Sequence, residues 1–522
     1  MSDPLQTLKP DAMLHPDLHA PGSTEGEHRN GRRLDHAEGN SKPLRAQQPE
    51  QQPRGAKIRG NRPVDQSEAA NRFIAATVHE KMHDERLWDL RQKRDREMHG
   101  LPEWEELRDL ASAIKEHTLA HLDRYLEQFE AAARANGVHV HWARDAGEHN
   151  RIVLGILRGR GAKRLIKSKS MLTEECGFRE FMAEHAVEVI ETDLGERIQQ
   201  LDGEAPSHVV VPAVHKLRTD VARVFAKKLG SDPATQDVHV LAETQRDATR
   251  PLILSADAGM TGCNFAVAET GTVVVCTNEG NADLSANTPP LHIVSMGIEK
   301  LVPRLEHLAV MVRLLSRSAL GSPMTQYTSH FRGPRAGGQE SGGQAMSGRG
   351  DILGAVRAHL PKVDRPDPLV PLFDAGAPPD LLAAFGEQLE RMGGEWLTPG
   401  ADDPLAPVRA KLASAKVVCS HVPEVAGNKA LGAGMKPTDL ADVDYGVVRA
   451  AFAVAETGSV CRRTRGWAST RWATCRSTSS SCSTRRTSCP TSTMPTAARN
   501  GGSGTTPCST PAPPPRPTSR AC

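Results

Sequence analysis

Phe265-Ala-Val-Ala-Glu269-Thr270-Gly271 returns letter for letter as Phe452-Ala-Val-Ala-Glu456-Thr457-Gly458, and in each case an Asp-x-Gly stands eight residues ahead of the Phe, at Asp257 to Gly259 and at Asp444 to Gly446. A seven-residue identity with a matching flank is an internal repeat, and two copies of one supersecondary unit imply two copies of one domain. Their continuations differ. The first copy runs into Thr272-Val-Val-Val-Cys276, an apolar-rich run of buried-strand type, whereas the second reaches Cys461 and then loses Leu, Ile, Val and Phe altogether.

The 522 residues allow two to four domains, and an apolar content of 38% is too low for all of them to lie in cores. A formal net charge of +2 removes any global electrostatic case for nucleic acid or an anionic membrane. No apolar run approaches the roughly 18 residues of a spanning helix. Asp3, Pro10 and Asp11 do not make the basic-then-apolar pattern of a signal peptide. The expected location is the cytoplasm, where the ten cysteines would stay reduced.

Residues 1–62 mix His, Pro, Gly, Gln and charge with few apolar side chains, so they cannot offset about 1–2 kcal/mol of backbone entropy per ordered residue. They are expected to be disordered. A helical extension follows over 63–137, where Trp104, Leu107, Leu110, Ile114, Leu122, Leu126 and Phe129 recur at three- and four-residue spacings and predict one long amphipathic helix, the second of a pair, ended by Asn136-Gly137. From Val138 strands and helices alternate. Strands are expected at 138–142, 164–167 and 187–191, in the apolar run 208–212, and at 272–276 and 291–295. Helices are expected from Asp145, from Thr173, and over 299–315 with Pro303 in the first turn. That alternation predicts an α/β domain at 138–335 with a mostly parallel sheet, whose ligands would gather at the carboxyl ends of the strands.

Residues 336–350 read as a Gly-rich linker and 351–460 as a second, partial domain, with helices near 351–360 and 379–392 and a strand near 416–419. Residues 461–522 contain no Leu, Ile, Val, Phe or Tyr and no Asp, Glu or Lys, so no core can be built from them. A switch this abrupt, directly after a core motif, is what reading a gene in the wrong frame produces. Translating the locus in the neighbouring frame separates that reading from a native low-complexity tail.

The chemistry-bearing candidates are few. Glu269 precedes a Thr-Gly turn into an apolar strand, and there it is either an acid/base or ligand-contacting carboxylate or a turn-fixing one; burial would oblige it to be hydrogen-bonded or to titrate high. Asn264 and Thr270, with the loop Asn278-Glu279-Gly280-Asn281, supply amides, hydroxyls and backbone N–H groups suited to a carboxylate or phosphate, and serve ordinary turns equally well. Lys167, Lys169 and Ser170 stand at a strand end; solvated surface is the alternative. His208, His215 and His292 have no metal-ligand spacing and read as structural. No metal site is assigned, since the spacing that holds 4Fe-4S clusters is absent.

Lys167-Ser-Lys-Ser-Met171 with Thr173-Glu-Glu175, Glu191-Thr-Asp-Leu-Gly195-Glu196, Pro206-Ser-His208, Pro212-Ala-Val-His215-Lys216, Asn264 through Asn281, Pro289-Pro-Leu-His292 and Met296-Gly-Ile-Glu-Lys300 resemble the lactate utilization protein B family over about residues 66–335. From Met346, Asp351-Ile-Leu, Pro423-Glu-Val-Ala-Gly427-Asn428 and the second motif resemble lactate utilization protein C. Both families carry the LUD domain, and this resemblance implies a NagB/RpiA/CoA-transferase-like fold and accounts for the repeat. It implies a subunit of a complex oxidising L-lactate to pyruvate, with A-type and C-type partners, while charge and hydropathy predict no nucleic-acid partner and no membrane span. The 4Fe-4S clusters expected of the full-length B family have no ligands here, because the linker and C-type segment stand where that domain would follow. Two other readings are a stand-alone LUD domain binding or acting on a small carboxylate or acyl-CoA, with Glu269 as the reactive group, and a defective fusion product.

Overall fold

The computed structural model describes residues 74–462 apart from 205, 209, 335–347, 364, 374–377, 431, 433–434 and 436, together with positions 67 and 71 and the strand backbones at 479–482 and 488–489. The segments expected to be disordered at 1–62, most of the linker and most of the tail lie outside the described residues.

Among the described residues the extension includes α1 (Thr77–His99), α2 (Trp104–Ala120) and α3 (Leu122–Ala135). The run predicted as one helix through Phe129 breaks at His121, whose backbone leaves helical dihedrals at φ −126° and ψ 30°. Packing explains the break. Successive residues of a strand point to opposite faces, and in Ala266-Val267-Ala268 the two alanines meet Leu126 and Phe129 of α3 while Val267 meets Leu107 and Ile114 of α2. One straight helix cannot cover both faces of a strand, so the sequence bends the helix around it.

The chain continues through α4 (Ala146–Gly159), β1 (Arg164–Lys167), α5 (Met171–Glu175), α6 (Phe178–Glu184), β2 (Glu188–Glu191), α7 (Leu194–Asp202), α8 (Arg218–Leu229), α9 (Val238–Leu254) and β3 (Ala258–Thr261). After two hairpin strands come α10 (Asn281–Asn287) and β6 (Leu291–Val294). Strands β2, β1, β3 and β6 lie side by side in that order, all parallel, as the alternation predicted. Leu165, Val189 and Met260 face α4 and α6, where Leu157, Phe178 and Met182 are buried, and Ile166 and Ile190 face Ile253 of α9. Each such side chain contributes about 1.5–3 kcal/mol on full burial. Asp145 caps α4 by accepting the Glu148 N–H, and Asp193 caps α7 by accepting that of Glu196.

Three expected elements differ. Residues 138–142 do alternate, with Val138, Val140 and Trp142 against the α3 cluster, but they lie beside no strand and form no ladder. The run 208–212 is a loop: His208 Nδ1 accepts the N–H groups of Val210 and Val211, and Pro212 O accepts Gln199 Nε2. The helix predicted over 299–315 starts late. Leu301–Val302 form β7, and α11 spans Leu305–Leu320, so Pro303 ends the strand instead of starting the helix.

A second sheet holds the repeat motif. β4 (Phe265–Val267) pairs antiparallel with β5 (Thr272–Thr277) and parallel with β7, and β5 pairs antiparallel with β8 (Tyr327–Phe331). Gly271 at the hairpin turn has φ +64°, and a Cβ there would lie 2.3 Å from Ala133 N of α3, so the position admits only glycine.

The C-terminal repeat is built from α12 (Gly348–His359), α13 (Leu381–Arg391), α14 (Ala406–Leu412), β9 (Val418–Ser420), β10 (Tyr445–Arg449), β11 (Phe452–Val454) and β12 (Ser459–Cys461). It reproduces the first in register. Phe265 pairs with Val274 and Phe452 with Cys461. Asp257 accepts the backbone N–H groups of Lys163 and Arg164 ahead of β1, and Asp444 accepts those of Lys416 and Val417 ahead of β9. Gly458, also at φ +64°, rests on Leu389 N of α13 as Gly271 rests on α3. The backbones β13 (Ser479–Cys482) and β14 (Ser488–Cys489) run parallel to β10 and β11, in the slots that β6 and β7 hold in the first repeat.

Candidate functional site

At the carboxyl ends of β1 and β2 the parallel register sets Lys167 directly beside Glu191. Lys167 is wholly buried, with its Nζ 2.9 Å from Glu191 Oε2, 3.4 Å from Glu174 Oε1 and 3.7 Å from Glu196 Oε2. Glu191 and Glu196 are buried too, while Glu174 reaches toward solvent. The 2.9 Å contact is an ion pair by distance without the alignment of a hydrogen bond, so both buried carboxyls keep unspent acceptor capacity. Thr192 Oγ1 adjoins Ser285 Oγ at 3.2 Å and donates to Lys167 O. These groups share the sheet edge where open α/β folds place ligands.

Burial alone would discharge the Lys167 ammonium, but Glu191, Glu196 and Glu174 more than offset it and hold the group above the usual lysine range. Burial pushes the Glu196 carboxyl up to about 9 against the pull of Lys167, with the charge of Glu191 adding to the rise. Glu191 is raised by the same burial, against the pull of Lys167. Glu196 therefore keeps its proton at neutral pH beside the Lys167 ammonium, with Glu191 displaced in the same direction. The edge is a fixed cation next to a proton-holding carboxyl.

A carboxyl that is protonated when folded and ionised when unfolded lowers stability as pH rises. The unfolded form loses its proton near 4.5 and the folded form near 9, so the contribution is whole below the first value and gone above the second. Glu196→Gln should flatten urea-unfolding free energy between pH 5.5 and 8.5, removing up to about 1.4 kcal/mol per pH unit. An unchanged slope would mean that Glu196 is ionised in the fold.

The candidates divide into two groups. Lys167, Lys169, Ser170, Glu279 and Asn281 converge on this edge. Lys169 Nζ donates to Val210 O at 2.9 Å and lies 3.6 Å from Asp193 Oδ2. Ser170 is buried against Gly262, whose missing side chain would meet Ser170 Oγ at 3.1 Å. Glu279 Oε2 accepts the Leu194 N–H; the residue is exposed as a whole, but its carboxyl is hemmed in, and burial with the neighbouring Asp193 charge raises its pKa. Asn281 is buried, with Oδ1 accepting from Thr277 Oγ1 and Nδ2 pointing at Thr192.

The other group serves the second sheet. Asn264 Oδ1 accepts the Cys276 N–H, Thr270 Oγ1 donates to Thr272 Oγ1, and Asn278 Oδ1 accepts the Gln326 N–H. Glu269 is not buried, correcting the premise that a carboxylate here must be paired. It is exposed at the hairpin turn, which the Thr270 and Gly271 N–H groups close by donating to Val267 O, while its own N–H donates to Pro303 O. His208, His215 and His292 each hold structural partners, at Val210, Ser207 and Thr261 respectively.

Glu174, Glu191 and Glu196 were not singled out for chemistry from the sequence. A signal existed: two apolar runs ending in Lys and Glu of opposite charge, which a parallel register would pair. An iron–sulfur cluster needs converging thiolates, and the described cysteines do not fit one. Cys176, Cys263 and Cys276 are free thiols, and burial holds Cys263 and Cys276 protonated, up to about 12 and about 11. Among the described residues no group of three or more His, Cys, Asp or Glu is arranged to hold a metal ion, and no helix is long and apolar enough to cross a membrane. The side chains of the tail cysteines at 475–522 lie outside the described residues.

Residues 126–348 match the LUD domain family. The chain is 44% identical over 272 residues to lactate utilization protein B of Macrococcus caseolyticus, covering 51% of this chain and 57% of that one. It is 42% identical over 272 residues to the protein of the same name from Anoxybacillus flavithermus, with the same coverage. It is also 42% identical over 260 residues to the uncharacterized electron transport protein YkgF of Escherichia coli, covering 48% and 54%. The chain thus spans little more than half the length of these relatives, and no solved structure matches it. Residues 126–348 thus carry a LUD domain, and that region is similar to lactate utilization protein B.

Proposed function

We propose that the chain works in lactate utilization as a B-type subunit of a complex oxidising L-lactate to pyruvate, beside separate A-type and C-type subunits. The observation that carries this is the 44% identity over 272 residues to a lactate utilization protein B. Within that reading the sheet edge is the part that meets a small carboxylate. Lys167 is neutralised by its glutamates, so the ligand anion falls to Lys169, which is part-exposed, and to the Asn281 amide and Thr192 hydroxyl beside it. The Glu191–Glu196 pair would take or return a proton there. No step is routed through an iron–sulfur group, which the described cysteines do not fit.

Deleting the gene should abolish growth on L-lactate, and the full chain, but not Lys169→Ala, should restore it. Undiminished growth of the deletion strain would sink the proposal. A second reading, a fusion whose C-type half is out of frame, is supported by the strand slots. β13 and β14 keep the spacing of β6 and β7, yet carry Ser-Ser-Ser-Cys and Ser-Cys where those strands carry Leu-His-Ile-Val and Leu-Val. Spacing retained with apolar letters lost is what a shifted frame leaves behind, and the neighbouring-frame translation of the locus tests it.

A further inference from the structure

The two repeats meet through the turn that defines them. Glu456 of the second copy receives Arg317 Nη2 at 2.7 Å on Oε1 and lies 3.2 Å from Arg313 Nη2 through Oε2. Both arginines stand on α11 of the first repeat, which holds them in place itself. Arg313 Nη2 donates to Glu103 at 2.6 Å, and its guanidinium lies over the Phe373 ring at 5.5 Å. Arg317 is buried and donates to Arg313 O and Pro323 O. Burial weakens the charged form of Arg317, and Glu456 opposes that. A buried guanidinium of this kind requires an anionic partner.

Glu269 holds the same place on the same turn in the first repeat, with the same strand register and the same glycine seated on a helix backbone. Yet it is exposed, whereas Glu456 is half-buried between another domain's arginines. The glutamate is therefore not what folds the hairpin. One turn glutamate stands in water and the other reaches the arginines of a neighbouring LUD domain, as a docking residue would.

We propose that the Arg313–Arg317 face of α11 is a LUD–LUD docking surface, which takes the turn glutamate of a neighbouring LUD domain and which the C-terminal repeat fills in cis where a separate LUD chain would fill it in trans. It rests on the lactate-utilization reading only for the expectation that such a separate partner exists. Charge complementarity is two guanidiniums for two carboxylates, Glu103 on Arg313 and Glu456 across both, the geometry in which buried interface pairs set affinity through their dissociation rate.

The test is made on the full chain with a protease site replacing residues 374–377, nicked after folding. The halves of the wild type should stay associated on gel filtration at micromolar concentration. Glu456→Arg, or Arg313→Glu with Arg317→Glu, should weaken association at least about tenfold, and Glu456→Arg combined with Arg317→Glu should recover most of it. The isosteric Glu456→Gln keeps the assay informative where charge reversal impairs folding. In trans, an intact LUD chain bearing the turn glutamate should displace the nicked C-terminal half, and its Glu→Gln form should do so at least about tenfold less well. Separation of the wild-type halves, affinity indifferent to these charges, or no displacement by the intact LUD chain overturns the proposal. None of these readouts involves lactate, so a failure of the lactate reading leaves them interpretable.

Discussion

Replacing Lys167 with Met should destabilise the protein by about 3–5 kcal/mol in urea unfolding at pH 7, the cost of removing one partner of a buried ion pair. Methionine fills much the same volume, so the loss is electrostatic. Without the ammonium, Glu191 and Glu196 face each other in a dry site with Glu174 at its margin, and both buried carboxyls must be neutralised to stay there. Two controls isolate the cause. The deficit should shrink as pH falls toward 5, because protonation removes the unpaired charge, and Lys167→Met combined with Glu191→Gln should be less destabilised than the single change. A deficit independent of pH and not relieved by Glu191→Gln would assign the effect to packing.

Gly259→Ala should cost about 3 kcal/mol or more, or prevent soluble expression. A Cβ at 259 would stand 1.7 Å from Ser285 O and 2.8 Å from Ser285 C, backbone atoms of α10 that cannot turn aside as a side chain can. α10 would have to lift from β3, and it carries the Asn281 and Ser285 that meet Thr192 at the sheet edge. Gly155→Ala on α4 is the contrasting control. A Cβ there meets nothing within 4 Å, and alanine is worth up to about 1 kcal/mol more than glycine inside a helix. Equal thermal stabilities of the two variants would remove the close approach of α10 from the account.

Much of the fold was legible because it depends on local periodicity. β1, β2, β5 and β6 fall where apolar runs stand between turn residues, and Asp145 caps the helix it was expected to start. The misreadings share one physical form. Residues 138–142 alternate like a strand but lack a neighbour to pair with, and Leu122 continues the spacing of Ile114 although the helix breaks between them at His121. Periodicity reports which side chains are apolar; it does not report which face of which partner they will meet.

The candidate site divides along the same line. Lys167, Lys169, Ser170, Glu279 and Asn281 could be named because they follow strands, and strand ends are where such sheets bind ligands. Glu269 stood in the most conspicuous stretch of the chain and is exposed on the other sheet. The repeat of that stretch was readable from letters alone, since identity in sequence requires no coordinates, and with it came the two-domain organisation and the paired hairpins. The pairing of Lys167 with Glu191, the burial that raises Glu191 and Glu196, and the opposite fates of Glu269 and Glu456 required the folded chain. Each depends on groups far apart in sequence being brought within a few ångströms and out of water, where charge is costly unless matched.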